Sequence, residues 1–139
     1  MKNIKEQIHL IASQYRLQII YAFGSRAKEA LEMVEGRIER LPGGSSDLDI
    51  GVKPSKPLTV EEKVRLAILL EDLFDVHRVD LVVLPEAPIS LASRIVAGEL
   101  LYAENPTNEA EYQLHILRQA ADIAPYERLK QKMILEGIL

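Results

Sequence analysis

The pattern of apolar and polar positions divides the chain into short helices and strands. Asn3, followed three residues later by Glu6, is typical of a capping box at the start of a helix. The short apolar run from Leu17 to Phe23 is rich in β-branched and aromatic residues, so it predicts a buried strand. Between these two features, apolar residues at helical spacing predict the N-terminal helix itself: Ile4, Ile8, Ile11, Ala12 and Tyr15.

A second strand is predicted from Asp47 to Lys53, where polar and apolar residues alternate. Since successive side chains of a strand point to opposite faces, Asp47 and Asp49 should share one face, and Leu48 and Ile50 the other. The sequence therefore predicts a strand with one apolar face and one acidic face.

The remaining elements suggest a small mixed sheet flanked by helices, which is an α+β (α/β-like) fold. We expect one domain over residues 1–139, with a core of about 1–104 and C-terminal helices over 105–139. The predicted elements are helices at Arg26–Glu35, Thr59–Asp75 and Ile89–Ala97, strands at Val79–Leu84 and Leu100–Ala103, and two C-terminal helices at Glu109–Ile123 and Tyr126–Glu136, separated by Pro125.

Composition narrows the classes of function that need to be considered. The 139 residues include 17 Lys and Arg against 21 Asp and Glu, a net charge of −4, which argues against direct binding of nucleic acid. The absence of cysteine excludes disulfides, zinc–thiolate sites and cysteine nucleophiles. No apolar run is long enough to span a membrane and no signal peptide is recognisable, so we expect a cytoplasmic protein.

Candidate chemistry begins where the first predicted strand ends, at Gly24 and Ser25. Glycine allows the backbone to approach a ligand closely, and free N–H groups at a helix start favour an anion such as phosphate. The Ser25 hydroxyl could donate to the same phosphate oxygens. A Gly-Ser pair is also a common turn, so by itself it is a weak signal.

Three acidic residues carry the rest of the signal. The carboxylates of Asp47 and Asp49 should project the same way, and two such charges repel unless a cation holds both. Magnesium is the natural cation, because carboxylates bind it together with substrate phosphates. Asp80 lies in an apolar strand, and if that strand is beside the first two acids, all three converge as ligands for two magnesium ions. The structural alternatives are an exposed strand start for Asp47, an edge-strand charge for Asp49 and a paired structural acid for Asp80.

Four segments of the chain resemble the minimal nucleotidyltransferases of the DNA polymerase β superfamily. The resemblance reaches to about Tyr102, and the segments are FGSRA (23–27), SDLDIGV (46–52), VDLVVL (79–84) and, as softer support, RIVAGELLY (94–102). It implies a nucleotidyltransferase fold and transfer of a nucleoside monophosphate from an NTP, for which we expect ATP, to a hydroxyl group.

The resemblance also implies a role for each site residue. Gly24 and Ser25 would hold the triphosphate, and Asp47 and Asp49 would ligate magnesium. Asp80 would be the third carboxylate, which helps to ligate the metal or deprotonates the attacking hydroxyl. For Arg26, contact with phosphate is one hypothesis and a solvated position at the helix start is the more ordinary one.

The stretch between Ser25 and Asp47 is longer than expected for this family, and its extra residues run from roughly Leu31 to Gly44. A charged insert of this kind is most often a solvated excursion, although it could gate the NTP site or contact a partner. It bears on the loop geometry around Ser25 and leaves the prediction for Asp47 and Asp49 unchanged.

Three functions fit the resemblance. Small stand-alone members resemble the antitoxins of HEPN/MNT toxin–antitoxin pairs, which transfer AMP to a tyrosine of the HEPN toxin. The alternatives are transfer to a small molecule such as an aminoglycoside, and a non-catalytic antitoxin that acts by binding alone. The first alternative usually needs additional structure around the acceptor, which here only residues 109–139 could provide.

Overall fold

A computed structural model describes residues 3–43 and 47–137, and it confirms the α+β class. Gly44 and Ser46, which belong to the predicted insert and to the second motif, lie outside the described residues. The elements are α1 (Ile4–Tyr15), β1 (Leu17–Phe23), α2 (Ala27–Val34), β2 (Leu48–Pro54), α3 (Val60–Phe74), β3 (Val79–Val83), a 3-10 turn (Leu84–Glu86), α4 (Ile89–Val96), β4 (Glu99–Ala103) and α5 (Pro106–Leu135).

The four strands form one mixed sheet in the order β3-β2-β1-β4. Strand β1 is antiparallel to both of its neighbours, β2 and β4. Strands β2 and β3 are parallel, and α3 connects them. The parallel pairing places the starts of β2 and β3 at the same edge of the sheet, which is also where the antiparallel β1 ends.

Helices cover both faces of the sheet. One face packs against α1, α2 and α3 through the larger core, which includes Ile50 at the centre of β2. The other face packs against α4 and α5 through a smaller core around Tyr21 and Ile95. Strand β2 alternates between these faces: Leu48, Ile50 and Val52 are fully buried in the larger core, as the sequence pattern predicted for the first two.

Local capping fixes where two helices begin. The Thr59 side chain accepts from the N–H of Glu62, and the Glu62 carboxylate accepts from the N–H of Thr59, so the predicted capping box of α3 is complete. At α1, the Asn3 side chain accepts from the N–H of Glu6. These interactions satisfy backbone donors that a helix start would otherwise leave unpaired.

The C-terminal region differs from the prediction, because it forms one helix of 30 residues in place of two. The helix begins earlier than expected: Asn105 caps it by accepting from the N–H groups of Thr107 and Asn108. Pro125 lies inside the helix, where it removes one hydrogen bond to the carbonyl four residues earlier. Both Pro125 and Ala121 are exposed, so water can reach that carbonyl. Among the described helices, none is both long and apolar enough to cross a membrane.

The insert is less solvated than the sequence suggested. Helix α2 ends at Val34, and Gly36 follows with a φ of 80°, a left-handed conformation that favours glycine. Ile38 and Leu41 are partly buried against the larger core. The prediction of a solvated excursion is therefore wrong for these two residues, since their apolar side chains hold the insert against the domain.

Candidate active site

The strand register brings Asp49 and Asp80 side by side. In the parallel ladder, Asp49 of β2 pairs directly with Asp80 of β3. A side-chain hydrogen bond with Asp80 contributes to the raised pKa of Asp49, so the two carboxyl groups lie within hydrogen-bonding reach of each other. Asp47 precedes the first residue of β2 by one position, so it lies just outside the strand in which it was predicted. The condition set by the sequence analysis, that the Asp80 strand must neighbour the Asp49 strand, is met.

The surroundings of Asp49 disfavour the charged form of its carboxyl group. Partial burial raises the pKa of its carboxyl group, and repulsion by Asp80 raises the pKa further. The hydrogen bond that the protonated form donates to Asp80 and the charge of Asp47 act in the same direction. Each of these effects disfavours a negative charge on Asp49 in the protein alone. A divalent cation beside these carboxylates would reverse the balance.

Gly24 brings the turn after β1 against this acid pair. Phe23, the last residue of β1, is paired with Asp49 across the antiparallel ladder. Gly24 has a φ of 77°, and a side chain at this position would collide with the Asp49 carboxylate. Glycine is therefore required here for two reasons, its left-handed backbone and its contact with Asp49. Ser25 follows in the turn and is exposed, close in sequence to the start of α2.

The start of α2 presents backbone N–H groups beside the Gly24 turn. The N-cap residue, Arg26, makes no side-chain hydrogen bond to the first turn of the helix. The N–H of Ala27 donates to the carbonyl oxygen of Gly24 at 3.3 Å, and the N–H groups of the first turn carry partial positive charge. Together with the exposed Ser25, they form a group of donors at the end of β1 beside Asp49.

Arg26 itself turns away from solvent. Its side chain is buried, so the interpretation as a solvated helix-start arginine is wrong. One terminal nitrogen donates to the carbonyl oxygen of Pro42 at 2.7 Å, and Nε lies 3.7 Å from the Glu29 carboxylate. Arg26 therefore ties the insert to the start of α2. Its contact with phosphate stays a prediction.

Arg78 is a charged residue of this region that the sequence analysis missed. Its Nε lies 3.2 Å from Asp80 Oδ1 and 3.7 Å from Asp47 Oδ2. The signal in the sequence was its position two residues before Asp80, because alternation in a strand places residues two apart on the same face. The guanidinium group supplies positive charge beside the carboxylates of Asp47 and Asp80.

The donor set suits magnesium in kind. Carboxylate oxygens are the ligands that Mg²⁺ prefers, and it commonly takes one or two of them together with substrate phosphates. Across residues 3–43 and 47–137, no group of three or more His, Cys, Asp or Glu side chains converges closely enough to hold a metal ion by itself. In this arrangement the carboxyl groups of Asp49 and Asp80 lie within hydrogen-bonding reach of each other, and those of Asp47 and Asp80 form ion pairs with Arg78. The role of all three aspartates as metal ligands stays a prediction.

Known structures share this fold over almost the full chain. A toxin–antitoxin structure with AMP-PNP matches with a TM-score of 0.62 and 22% identity, over 96% of this chain and 97% of that one. The structure of the tri-AMPylated Shewanella oneidensis HEPN toxin with its MNT antitoxin gives 0.61 and 22%, over 97% and 95%. A further Shewanella oneidensis structure gives 0.63 and 21%, over 99% and 97%.

The family itself is shown by a comparison of the sequence with family models. No curated protein matches. The model described as "Polymerase beta, Nucleotidyltransferase" matches residues 6–107. This segment contains β1, the Gly24 turn, β2, β3 and all three aspartates. The chain therefore belongs to the polymerase β nucleotidyltransferase family.

Proposed function

We propose that the chain is a magnesium-dependent adenylyltransferase that transfers AMP from ATP to a tyrosine hydroxyl of a HEPN-type toxin and thereby acts as its antitoxin. The observation that carries the proposal is the direct pairing of Asp49 with Asp80, in contact with the Gly24 turn. This places predicted metal ligands and predicted phosphate donors at one edge of the sheet.

Each residue has a defined part in the proposed reaction. The backbone of Gly24 and the hydroxyl of Ser25 hold the triphosphate, while Asp47 and Asp49 ligate the metal. Mg²⁺ held by these carboxylates would supply positive charge to the phosphate oxygens and to the leaving pyrophosphate. The acceptor oxygen bonds to the α-phosphorus and the bond from that phosphorus to the β-phosphate oxygen breaks. Asp80, the third predicted metal ligand, also accepts the proton of the acceptor hydroxyl.

A protein acceptor is supported by the openness of the site. The side chains of Asp47 and Asp80 are 40% and 42% exposed, so a hydroxyl on another molecule can approach them. The similar solved structures include a HEPN toxin in its AMPylated state. The distal part of α5 also exposes apolar side chains, with Tyr126 and Leu129 more than half exposed, as a surface that another protein could cover.

Intact-mass spectrometry of a co-expressed toxin tests the proposal. The proposal expects a HEPN-type protein to be encoded beside this chain, and that protein is purified after co-expression with the wild type or with Asp47→Asn/Asp49→Asn. We expect the toxin to gain the mass of one or more AMP groups with the wild type and none with the double variant. Asp122→Asn, on the exposed surface of α5, is the matched control and should retain transfer.

The alternatives predict different spectra. A toxin that is bound and silenced with no added mass under any NTP would support a non-catalytic antitoxin and contradict the proposal. Transfer by the double variant would contradict the metal assignment. Circular dichroism of each variant checks that a loss of transfer comes from the site and not from loss of the fold.

A further inference from the structure

Arg78 is fixed opposite Asp47 by the backbone of the sheet. The N–H of Leu48 donates to the carbonyl oxygen of Arg78 at 3.2 Å. This bond is part of the pairing of Leu48 with Val79 in the parallel ladder, and it holds Arg78 beside the residue that follows Asp47. The register between β2 and β3 therefore places Arg78 beside the acidic end of β2.

The Arg78 guanidinium group contacts the site aspartates through one nitrogen, and most of the side chain is exposed to solvent. Nε faces Asp80 at 3.2 Å and Asp47 at 3.7 Å, and the side chain is 69% exposed. Among the ion pairs of the described residues, these two are the ones that involve the site aspartates. The cation is thus anchored by charge and can swing into solvent when another cation takes its place.

The same carboxylates are the predicted ligands of magnesium. A divalent ion on Asp47 and Asp80 would lie within a few ångströms of the guanidinium, and two cations at that separation repel each other. Metal binding and the Arg78 ion pairs therefore compete for the same negative charge.

We propose that Arg78 is a displaceable internal cation, which pairs with Asp47 and Asp80 before the metal binds and leaves them when the metal and nucleotide arrive. The proposal rests on the proposed function, because it assumes that these aspartates hold the metal. Arg78 is a positioning residue: it keeps the carboxylates gathered in the empty site and lowers the site's affinity for divalent ions. Its removal therefore strengthens metal binding, whereas a purely structural arginine would weaken it.

Titration with Mn²⁺ measures this directly. The free-ion electron paramagnetic resonance signal gives the dissociation constant for wild type and Arg78→Gln, without nucleotide and with a non-hydrolysable ATP analogue. We expect Arg78→Gln to bind Mn²⁺ about threefold more tightly, the gain that removal of an exposed ion pair allows. Arg78→Lys keeps the positive charge and should remain close to wild type.

The matched control is Arg65→Gln. Arg65 is 66% exposed and pairs with Glu61 on α3 at 2.5 Å, so its loss removes the same charge from a comparable ion pair. Arg65→Gln should leave the Mn²⁺ affinity unchanged. An equal or weaker affinity in Arg78→Gln would overturn the role of Arg78 while metal binding by wild type still supported the proposed function. Absence of Mn²⁺ binding in every protein, even with the analogue, would overturn both.

Discussion

The two faces of β2 are built from alternate residues of one strand, yet one face stabilises the fold and the other carries the candidate site. Ile50 is fully buried in the larger core, among apolar side chains. Asp49, the preceding residue, faces Asp80 and the Gly24 turn, and its charged form is disfavoured by burial and by neighbouring acids. One face stabilises the fold, whereas the other brings like charges together at a site where a bound cation would be stabilised. The difference shows how a strand as short as seven residues separates stability from chemistry.

The largest expected effect is on transfer, through the acidic face. Asp49→Asn removes a predicted metal ligand and should lower the rate of AMP transfer about 10²- to 10³-fold, since loss of one group that stabilises charge in the transition state has effects of this order. The rate is measured from the mass of the toxin over time at saturating ATP and Mg²⁺. Transfer within tenfold of wild type would contradict the role of Asp49, and Asp122→Asn serves as the control for charge.

The apolar face should show the reverse pattern. Ile50→Ala leaves a cavity in the larger core and should lower the free energy of unfolding by about 2–5 kcal/mol. Where the variant remains folded, at low temperature, its transfer rate should stay near that of wild type. Urea titration followed by circular dichroism gives the stability. Ile68→Ala is the control, because Ile68 is half exposed and its truncation should cost far less.

Two glycines separate backbone strain from the contact with Asp49. Gly24 and Gly36 have φ values of 77° and 80°, so alanine at either should cost about 1–2 kcal/mol of folding free energy. Only at Gly24 would the new side chain collide with Asp49; at Gly36 nothing lies within 4 Å. We expect Gly24→Ala to lose transfer and Gly36→Ala to keep it, measured by toxin mass. Equal transfer by both would show that the contact with Asp49 is unimportant.

The smallest expected effect is a gain in stability in Asp49→Asn, the same variant that should lose AMP transfer. Because the pKa of Asp49 is raised by folding, the stability of the folded state depends on the charge of this carboxyl group. Its stabilising contribution is fully present below the unfolded-state pKa, and it is lost as the pH rises through the folded-state pKa. At pH 7 without metal, Asp49→Asn should therefore be more stable than wild type, by less than about 1 kcal/mol because the site is partly solvated. The gain should vanish at acidic pH.

Thermal unfolding from pH 3 to pH 8 provides this measurement. Saturating Mg²⁺ with a non-hydrolysable ATP analogue should abolish or reverse the gain, because wild type alone can bind the metal fully. If Asp49→Asn were less stable than wild type at pH 7, the inference that neighbouring acids repel the charge of Asp49 would be contradicted.

The sequence was most informative where a pattern is local. The bounds of β1 were predicted as Leu17–Phe23, and Thr59 as the cap of α3, because periodicity and capping depend on near neighbours. The sharing of one face by Asp47 and Asp49 followed from the two-residue period of a strand. That Asp80 lies beside Asp49 could only be stated as a condition, since register between strands depends on how the whole sheet pairs.

The errors come from interactions between residues distant in sequence. Arg26 was expected in solvent, but its partner is the carbonyl of Pro42, 16 residues away. Pro125 was taken as a boundary between helices, although an exposed helix tolerates the loss of one hydrogen bond. Arg78 was overlooked because its significance depends on Asp47, which only the pairing of β2 with β3 brings near.

The central claim is that Asp47, Asp49 and Asp80 gather a divalent metal beside the Gly24 turn. A crystal structure with Mn²⁺ and a non-hydrolysable ATP analogue, with the anomalous signal of manganese recorded, tests it most directly. The account predicts a manganese peak in contact with carboxylate oxygens of Asp47 and Asp49, and the triphosphate against Gly24 and Ser25. A peak remote from these carboxylates, with the nucleotide bound elsewhere, would contradict it.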